Sequence, residues 1–198
     1  MTKIVIASRN RGKIKEIKSI LEDLAIEWQS LNDYQDMPEI VEDGRSFFDN
    51  ALKKARAVSE FTGEMALADD SGLEVDVLDG EPGIYSARYA GETATDEDNN
   101  RKLLARLANV PPDKRTAAFR CVLMLYHTDG HHEHFEGRWC GRIHHEPVGT
   151  NGFGYDPIVF LPDHGITVAQ LPDDEKNKIS HRAQALGKLK ISLQNINH

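Results

Sequence analysis

The chain is 198 residues long, 39% hydrophobic and 28% charged, with a formal net charge of −8. That size and balance fit one soluble globular domain, bilobed at most, with a sizeable core. No apolar run approaches the ~18 residues that span a bilayer, and the acid excess argues against a protein that coats nucleic acid, although a local basic pocket could still hold a small anion.

In chain order, residues 3–8 read as a buried strand. Its apolar run is too short for a signal peptide and is cut by Ser8-Arg9-Asn10-Arg11, which suggests a cytoplasmic protein. A helix follows from Gly12 to Leu24, with Ile14, Ile17, Leu21 and Leu24 at helical spacing. Residues 26–31 suggest a second strand. Ser46 to Phe61 reads as a helix ended by Gly63, with Phe47, Ala51, Ala55 and Val58 on its apolar face and Asn50 and Lys54 on a polar one. Residues 65–68 and 73–78 look extended. Thr95 with Asp98 makes a capping box opening a helix to about Leu107. Thr116–Tyr126 and Glu133–Ile143 form a long hairpin around Asp129-Gly130. Ser180 opens a last helix that carries Ala183, Leu186, Leu189 and Leu193. Strands and helices mixed in this order indicate an α/β class with a mixed sheet and flanking helices.

Five stretches carry chemistry-bearing side chains. Ser8-Arg9-Asn10-Arg11-Gly12-Lys13 joins a strand to a helix N-terminus, where backbone N–H groups and the helix dipole favour an anion. It is not a Walker A loop, because Ala7 and Ile14 stand where a glycine and a Ser or Thr are required. An ordinary strand-to-helix turn explains it equally well. Glu42-Asp43-Gly44 precedes the Asn50/Lys54 face, which a solvated helix surface would also produce. Asp69-Asp70-Ser71-Gly72 is turn chemistry, or else a carboxylate site for a hard divalent cation. On a strand the two Asp side chains would point opposite ways, one available to a metal or a water and the other to support the loop. Gly149-Thr150-Asn151-Gly152-Phe153-Gly154-Tyr155-Asp156 offers a glycine-rich loop whose two aromatic rings could stack on a planar base. Lys176 and Ser180-His181-Arg182 place cationic donors near a helix start. The histidines at 131, 132, 134, 144 and 145 read as solvated loop for want of a ligand set, and Cys121 and Cys140 as reduced structural thiols.

Six ordered motifs spread over nearly the whole chain give a resemblance. They are S-x-N-x-x-K at 8–13, F-x-x-N-A-x-x-K-A at 47–55, A-D-D-S-G-L-x-V-D at 68–76, P-G-I-Y-S-A-R-Y at 82–89, G-F-G-Y-D-P at 152–157 and S-H-R at 180–182. Together they resemble the inosine triphosphatase family, the Ham1-like or RdgB-like pyrophosphatases of non-standard purine nucleoside triphosphates. The resemblance implies one elongated, two-lobed domain over residues 1–198, with a twisted mixed sheet and a substrate cleft between the lobes. It implies cleavage of ITP, dITP, XTP and dXTP to the monophosphate and pyrophosphate, dependence on Mg²⁺, and a homodimer. Ser8, Asn10, Gly12, Lys13 and Lys54 would hold the phosphates, with Arg9 and Arg11 making the loop more basic and tuning phosphate affinity. Asp70 would act on the attacking water, and Glu42 with Asp70 would hold the metal. Ser71, Phe153, Gly154, Tyr155, Asp156, Lys176, His181 and Arg182 would line the nucleotide pocket. Donors from Arg182 or His181 would favour the 6-oxygen of hypoxanthine or xanthine over the 6-amino group of adenine.

Other readings are a pyrophosphatase of the Maf type, a nucleotide-binding regulator that does no chemistry, and an RNA-binding module. Asp70 speaks against the second, and the acid balance against the third.

Overall fold

The computed structural model describes residues 2–196. The elements are β1 (Thr2–Ile6), α1 (Arg11–Ile20), β2 (Ile26–Ser30), α2 (Phe47–Thr62), β3 (Met65–Val75), α3 (Asp96–Arg106), β4 (Thr116–Tyr126), β5 (His132–Ile143), β6 (Val159–Leu161), β7 (Ile166–Thr167), α4 (Asp173–Ile179) and α5 (His181–Ile196). The strands form a seven-stranded mixed sheet in the order β2-β1-β3-β4-β5-β6-β7. β1 pairs in parallel with β2 and β3, whereas β6 pairs antiparallel with β5 and β7. The expected α/β class with a mixed sheet and flanking helices is therefore what forms.

The chain divides into two compact units. The first takes residues 1–70, 121–137 and 182–198, and the second takes 71–120 and 138–181. The core of the first gathers Ile4, Ile6, Ile17, Leu21, Leu67, Leu123 and Leu125 with Leu186, Leu189 and Leu193 of α5. A strand paired on both sides and covered on both faces needs continuous apolar side chains, and Ile4, Val5 and Ile6 are fully buried. The core of the second gathers Leu73, Val75, Leu103, Leu107, Phe119, Trp139, Ile158 and Val159.

Several local expectations hold at residue level. Ser46 caps α2 by accepting from Asp49 N, and Gly63 ends that helix in the left-handed region at φ +71°. Thr95 and Asp98 form the capping box of α3, with Asp in place of the usual Glu or Gln.

Two expectations are overturned. Residues 65–68 and 73–75 are extended as expected, but β3 runs unbroken between them through Asp69-Asp70-Ser71-Gly72 in place of a turn, and Asp76–Leu78 form a 3-10 helix rather than strand. Turn-forming side chains accept a strand when tertiary partners hold them, and here Lys13 and Arg182 hold Asp69 while Lys54 holds one oxygen of Asp70. The polar face of α2 is not solvated either: Asn50 and Lys54 are both buried. β6, β7 and α4 were not anticipated, being short and lacking a clear period.

Candidate active site

In the first unit, parallel pairing sets Ile6 beside Leu67, and Ala7 N donates to Leu67 O at 2.8 Å. The loop after β1 therefore emerges alongside the Asp69-Asp70 segment of β3. Ser8 Oγ accepts from Asn10 N, and Asn10 Oδ1 accepts from Lys13 N as the cap of α1, both at 3.1 Å. These contacts fix the entry angle of α1. Lys13 Nζ then reaches Asp69 Oδ1 at 2.7 Å and Asp69 O at 3.3 Å.

The pleat of β3 sends the two carboxylates to opposite faces. Asp69, only 1% exposed, receives Arg182 Nε at 2.6 Å, Lys13 Nζ, and the Cys121 thiol at 3.6 Å. Arg182, itself 1% exposed, also pairs with Glu16 of α1. Burial alone would raise the Asp69 pKa, but the Arg182 and Lys13 charges outweigh it and hold the carboxyl well below the ordinary range. Burial likewise opposes the Arg182 charge, and Asp69 and Glu16 more than compensate.

Asp70 faces α2. Lys54 Nζ donates to Asp70 Oδ1 at 2.8 Å, to Asp69 O at 3.0 Å and to Glu42 Oε2 at 3.2 Å. Buried Asn50 holds the loop that carries Glu42, its Oδ1 accepting from Gly44 N at 2.8 Å. The other oxygen of Asp70, Oδ2, is buried without a hydrogen-bond partner. Burial pushes the Asp70 pKa up, with the Glu42 charge adding to it, and Lys54 and Lys13 only partly offset the rise. For Glu42, burial is again opposed by Lys54, and here the lysine wins, so its pKa lies below the ordinary value. Two carboxylates around one ammonium thus differ in proton affinity, Asp70 being the more basic.

In the second unit, Asp156 organises the glycine-rich loop. Its Oδ2 accepts from Phe153 N at 2.8 Å and from Lys176 Nζ at 2.6 Å, and both charged side chains are buried. Lys176 Nζ also lies 4.6 Å from the centre of the Phe153 ring. Gly152 has φ +75°, and a Cβ there would sit 2.0 Å from Asp156 Oδ2. Gly154 is clamped on both sides, its N donating to Asp96 Oδ2 at 2.7 Å and its O accepting from Asn100 Nδ2 at 3.0 Å. Tyr155 OH donates to Ser86 O at 2.8 Å, and burial raises its pKa, so the phenol stays a neutral donor. The His181 ring stacks on Phe119, with centroids 4.8 Å apart and planes 11° from parallel, and lies 6.5 Å from Trp139.

Residues 4–191 match the Ham1 family. The chain belongs to this family. A dITP/XTP pyrophosphatase of Geobacter sulfurreducens is 53% identical over 193 residues, covering 98% of this chain and 97% of that protein. A second, of Desulforamulus reducens, is 50% identical, covering 94% and 92%. The solved HAM1 protein of Coxiella burnetii superposes with a TM-score of 0.90 at 43% identity, covering 98% of this chain and 100% of that one.

Within this Ham1 chain the structure brings together Ser8, Asn10, Lys13, Glu42, Lys54 and Asp70 in the first unit. In the second it brings together Phe153, Gly154, Tyr155, Asp156 and Lys176. Gly12 lies in the first turn of α1, and Ser71 follows Asp70 on β3.

Three of the expected site arginines have these surroundings. The Arg9 guanidinium donates to the carbonyls of Leu31 at 2.8 Å and of Tyr34 and Met37 at 3.4 Å, bracing the segment after β2. Arg11 is exposed at the start of α1. Arg182 is anchored from within the first unit, its Nε and Nη2 donating to Asp69 and its Nη1 to Glu16. Sequence reasoning missed Asp96, Asn100 and the Phe119/Trp139 platform. These residues lack a local signal.

Proposed function

We propose that this Ham1-family protein hydrolyses the non-canonical purine nucleoside triphosphates ITP, dITP, XTP and dXTP to the monophosphate and pyrophosphate. It would thereby clear such nucleotides before they enter DNA or RNA. One observation carries the reading: Asp70 Oδ2, buried and without a partner, beside Glu42 and two lysines. Its near relatives bear the name of that activity.

Asp70 is the proposed base. It accepts a proton from water as the water oxygen bonds to the α-phosphorus, and the bond from that phosphorus to the α–β bridging oxygen breaks, so pyrophosphate leaves with the bridging oxygen. A carboxylate whose affinity for protons is raised by burial suits this task near neutrality. Lys13 and Lys54 carry the phosphates and the charge that develops on the leaving group. Ser8 and Asn10 hold the loop that aims Lys13.

The residues fit a divalent cation, since hard ions prefer carboxylate oxygens and Asp70 Oδ2 has no other partner. Glu42 and Asp70 would hold it, and Mg²⁺ is the ion proposed. When bound, it polarises the phosphate and eases deprotonation of water.

The base falls to Phe153, Tyr155, Lys176 and His181. His181 and Arg182 are the proposed donors to the 6-oxygen, and replacing either should narrow the preference for ITP over ATP. Residues 1–198 are proposed to act as one catalytic domain, in the cytoplasm and as a homodimer, a state that sedimentation can check. Among the described residues no helix is long and apolar enough to cross a membrane.

The test is a panel of inosine, xanthosine, guanosine, adenosine and thymidine triphosphates with Mg²⁺, assayed for pyrophosphate and monophosphate. Turnover confined to the first two supports the proposal. Turnover of the thymidine nucleotide would move the protein towards the Maf type, and silence across the panel would refute the proposed reaction.

A further inference from the structure

The tip joining β4 to β5 carries His127, His131, His132 and His134, which have no part in the chemistry above. The structure supplies the ligand set that sequence reasoning did not find. Donor atoms of His127, His131 and Glu133 all lie within 4.8 Å of one another. His127 Nε2 is buried without a hydrogen-bond partner, although Glu133 Oε1 lies only 3.5 Å away. The two imidazole rings are 5.3 Å apart.

The surroundings hold these groups in place. His127 N donates to His131 O at 2.8 Å, Gly130 N to His127 O at 3.0 Å and His131 N to Asp129 Oδ1 at 2.9 Å, so the backbone between the ligands is tied at three points. Ser192 Oγ of α5 donates to Glu133 Oε2 at 2.7 Å, which turns Oε1 towards the histidines. A hydrogen bond to the non-ligating oxygen is the usual support for a carboxylate ligand.

We propose that His127, His131 and Glu133 form a binding site for a divalent transition metal, with zinc the ion that fits. Two imidazoles and one carboxylate are the donors that borderline ions take, leaving a fourth position for water. Bonds of about 2.0–2.1 Å to a tetrahedral ion put neighbouring ligand atoms about 3.3 Å apart, close to the His127–Glu133 separation. His131, exposed, has the freedom to rotate the remaining distance. Magnesium prefers oxygen ligands, so this site and the Glu42/Asp70 pair would select different ions. The bound ion would tie the hairpin tip to α5 through Glu133 and Ser192, and so stiffen the first unit rather than act on substrate.

The experiment uses the full chain, free of any affinity tag and stripped of metal, titrated with Zn²⁺ against a chromogenic chelator in excess Mg²⁺. One tight equivalent is expected. It should weaken at least 10-fold in His131→Ala, whose side chain is exposed and packs into no core, and vanish in the His127→Ala/His131→Ala pair. Ser192→Ala should weaken it about 10-fold. Asp70→Asn should leave it intact, which separates it from the carboxylate pair. Zinc should raise the melting temperature of the parent protein but not of the double variant. Binding that survives the double variant, or that excess Mg²⁺ abolishes, would overturn the proposal.

Discussion

Asp69 and Asp70 are chain neighbours with opposite duties. Asp69 is locked between Arg182, Lys13 and Cys121, while Asp70 keeps one buried oxygen without a partner. Substituting each should therefore give different outcomes. Asp70→Asn should lower turnover by about 10²–10⁴-fold, the usual weight of a general base, while urea denaturation shows a fold of near-normal stability. Asp69→Asn should cost about 3–5 kcal/mol, because it leaves the Arg182 guanidinium buried with one partner fewer, and the same denaturation curve should reveal it. Equal stability losses in the two variants would contradict this division of labour. The opposite pointing of the pair was legible from strand geometry alone. The identity of the Asp69 partner was not, because Arg182 lies 113 residues away and no local pattern encodes so distant a pairing.

At the scale of elements, β3 and the loop before β6 show how tertiary partners outrank local preference. Ala68-Asp69-Asp70-Ser71-Gly72 has the composition of a turn yet continues as a strand. α2 was legible to within a residue at each end, because its cap, apolar period and terminal glycine agree. Its buried Asn50 and Lys54 were not legible, since a polar helix face looks the same whether it meets water or a loop carrying Glu42. The glycines of the 149–156 loop alone do not say how it is held, whereas in the structure Asp156 and Asp96 accept from two of its amides, Phe153 N and Gly154 N, and Asp156 also accepts from Lys176 Nζ. Gly152→Ala should break that arrangement, because the new Cβ meets Asp156 Oδ2 and the φ is left-handed. A destabilisation of about 1–3 kcal/mol is expected, with KM raised more than kcat is lowered. Thermal melts and initial-rate kinetics would check both parts.

For the whole molecule, the buried ion pairs set a direction for acid sensitivity. Asp69 ionises far more readily in the folded protein than in the unfolded chain, where its pKa is about 3.9. Its contribution is then fully present above that unfolded value and is lost as pH falls through the lower, folded one. The stability advantage of the parent protein over Asp69→Asn, measured in metal-free buffer, should stay level from pH 7 to about pH 5 and shrink below about pH 4. An advantage that faded already between pH 7 and 6 would show that another group governs the transition.

The division of the chain has a consequence for how the protein is made. The first unit draws on three separated stretches, the last beginning at Arg182, whereas every residue of the second has been synthesised by His181. On the ribosome, β1, α1 and β3 must therefore wait, with Asp69 lacking its guanidinium and the apolar face of β1 without α5, until the final helix emerges. Nascent chains arrested before Arg182 should be cut by protease within residues 1–70 while 71–181 resist, and shortening the chain to that point should remove the first unit as a whole.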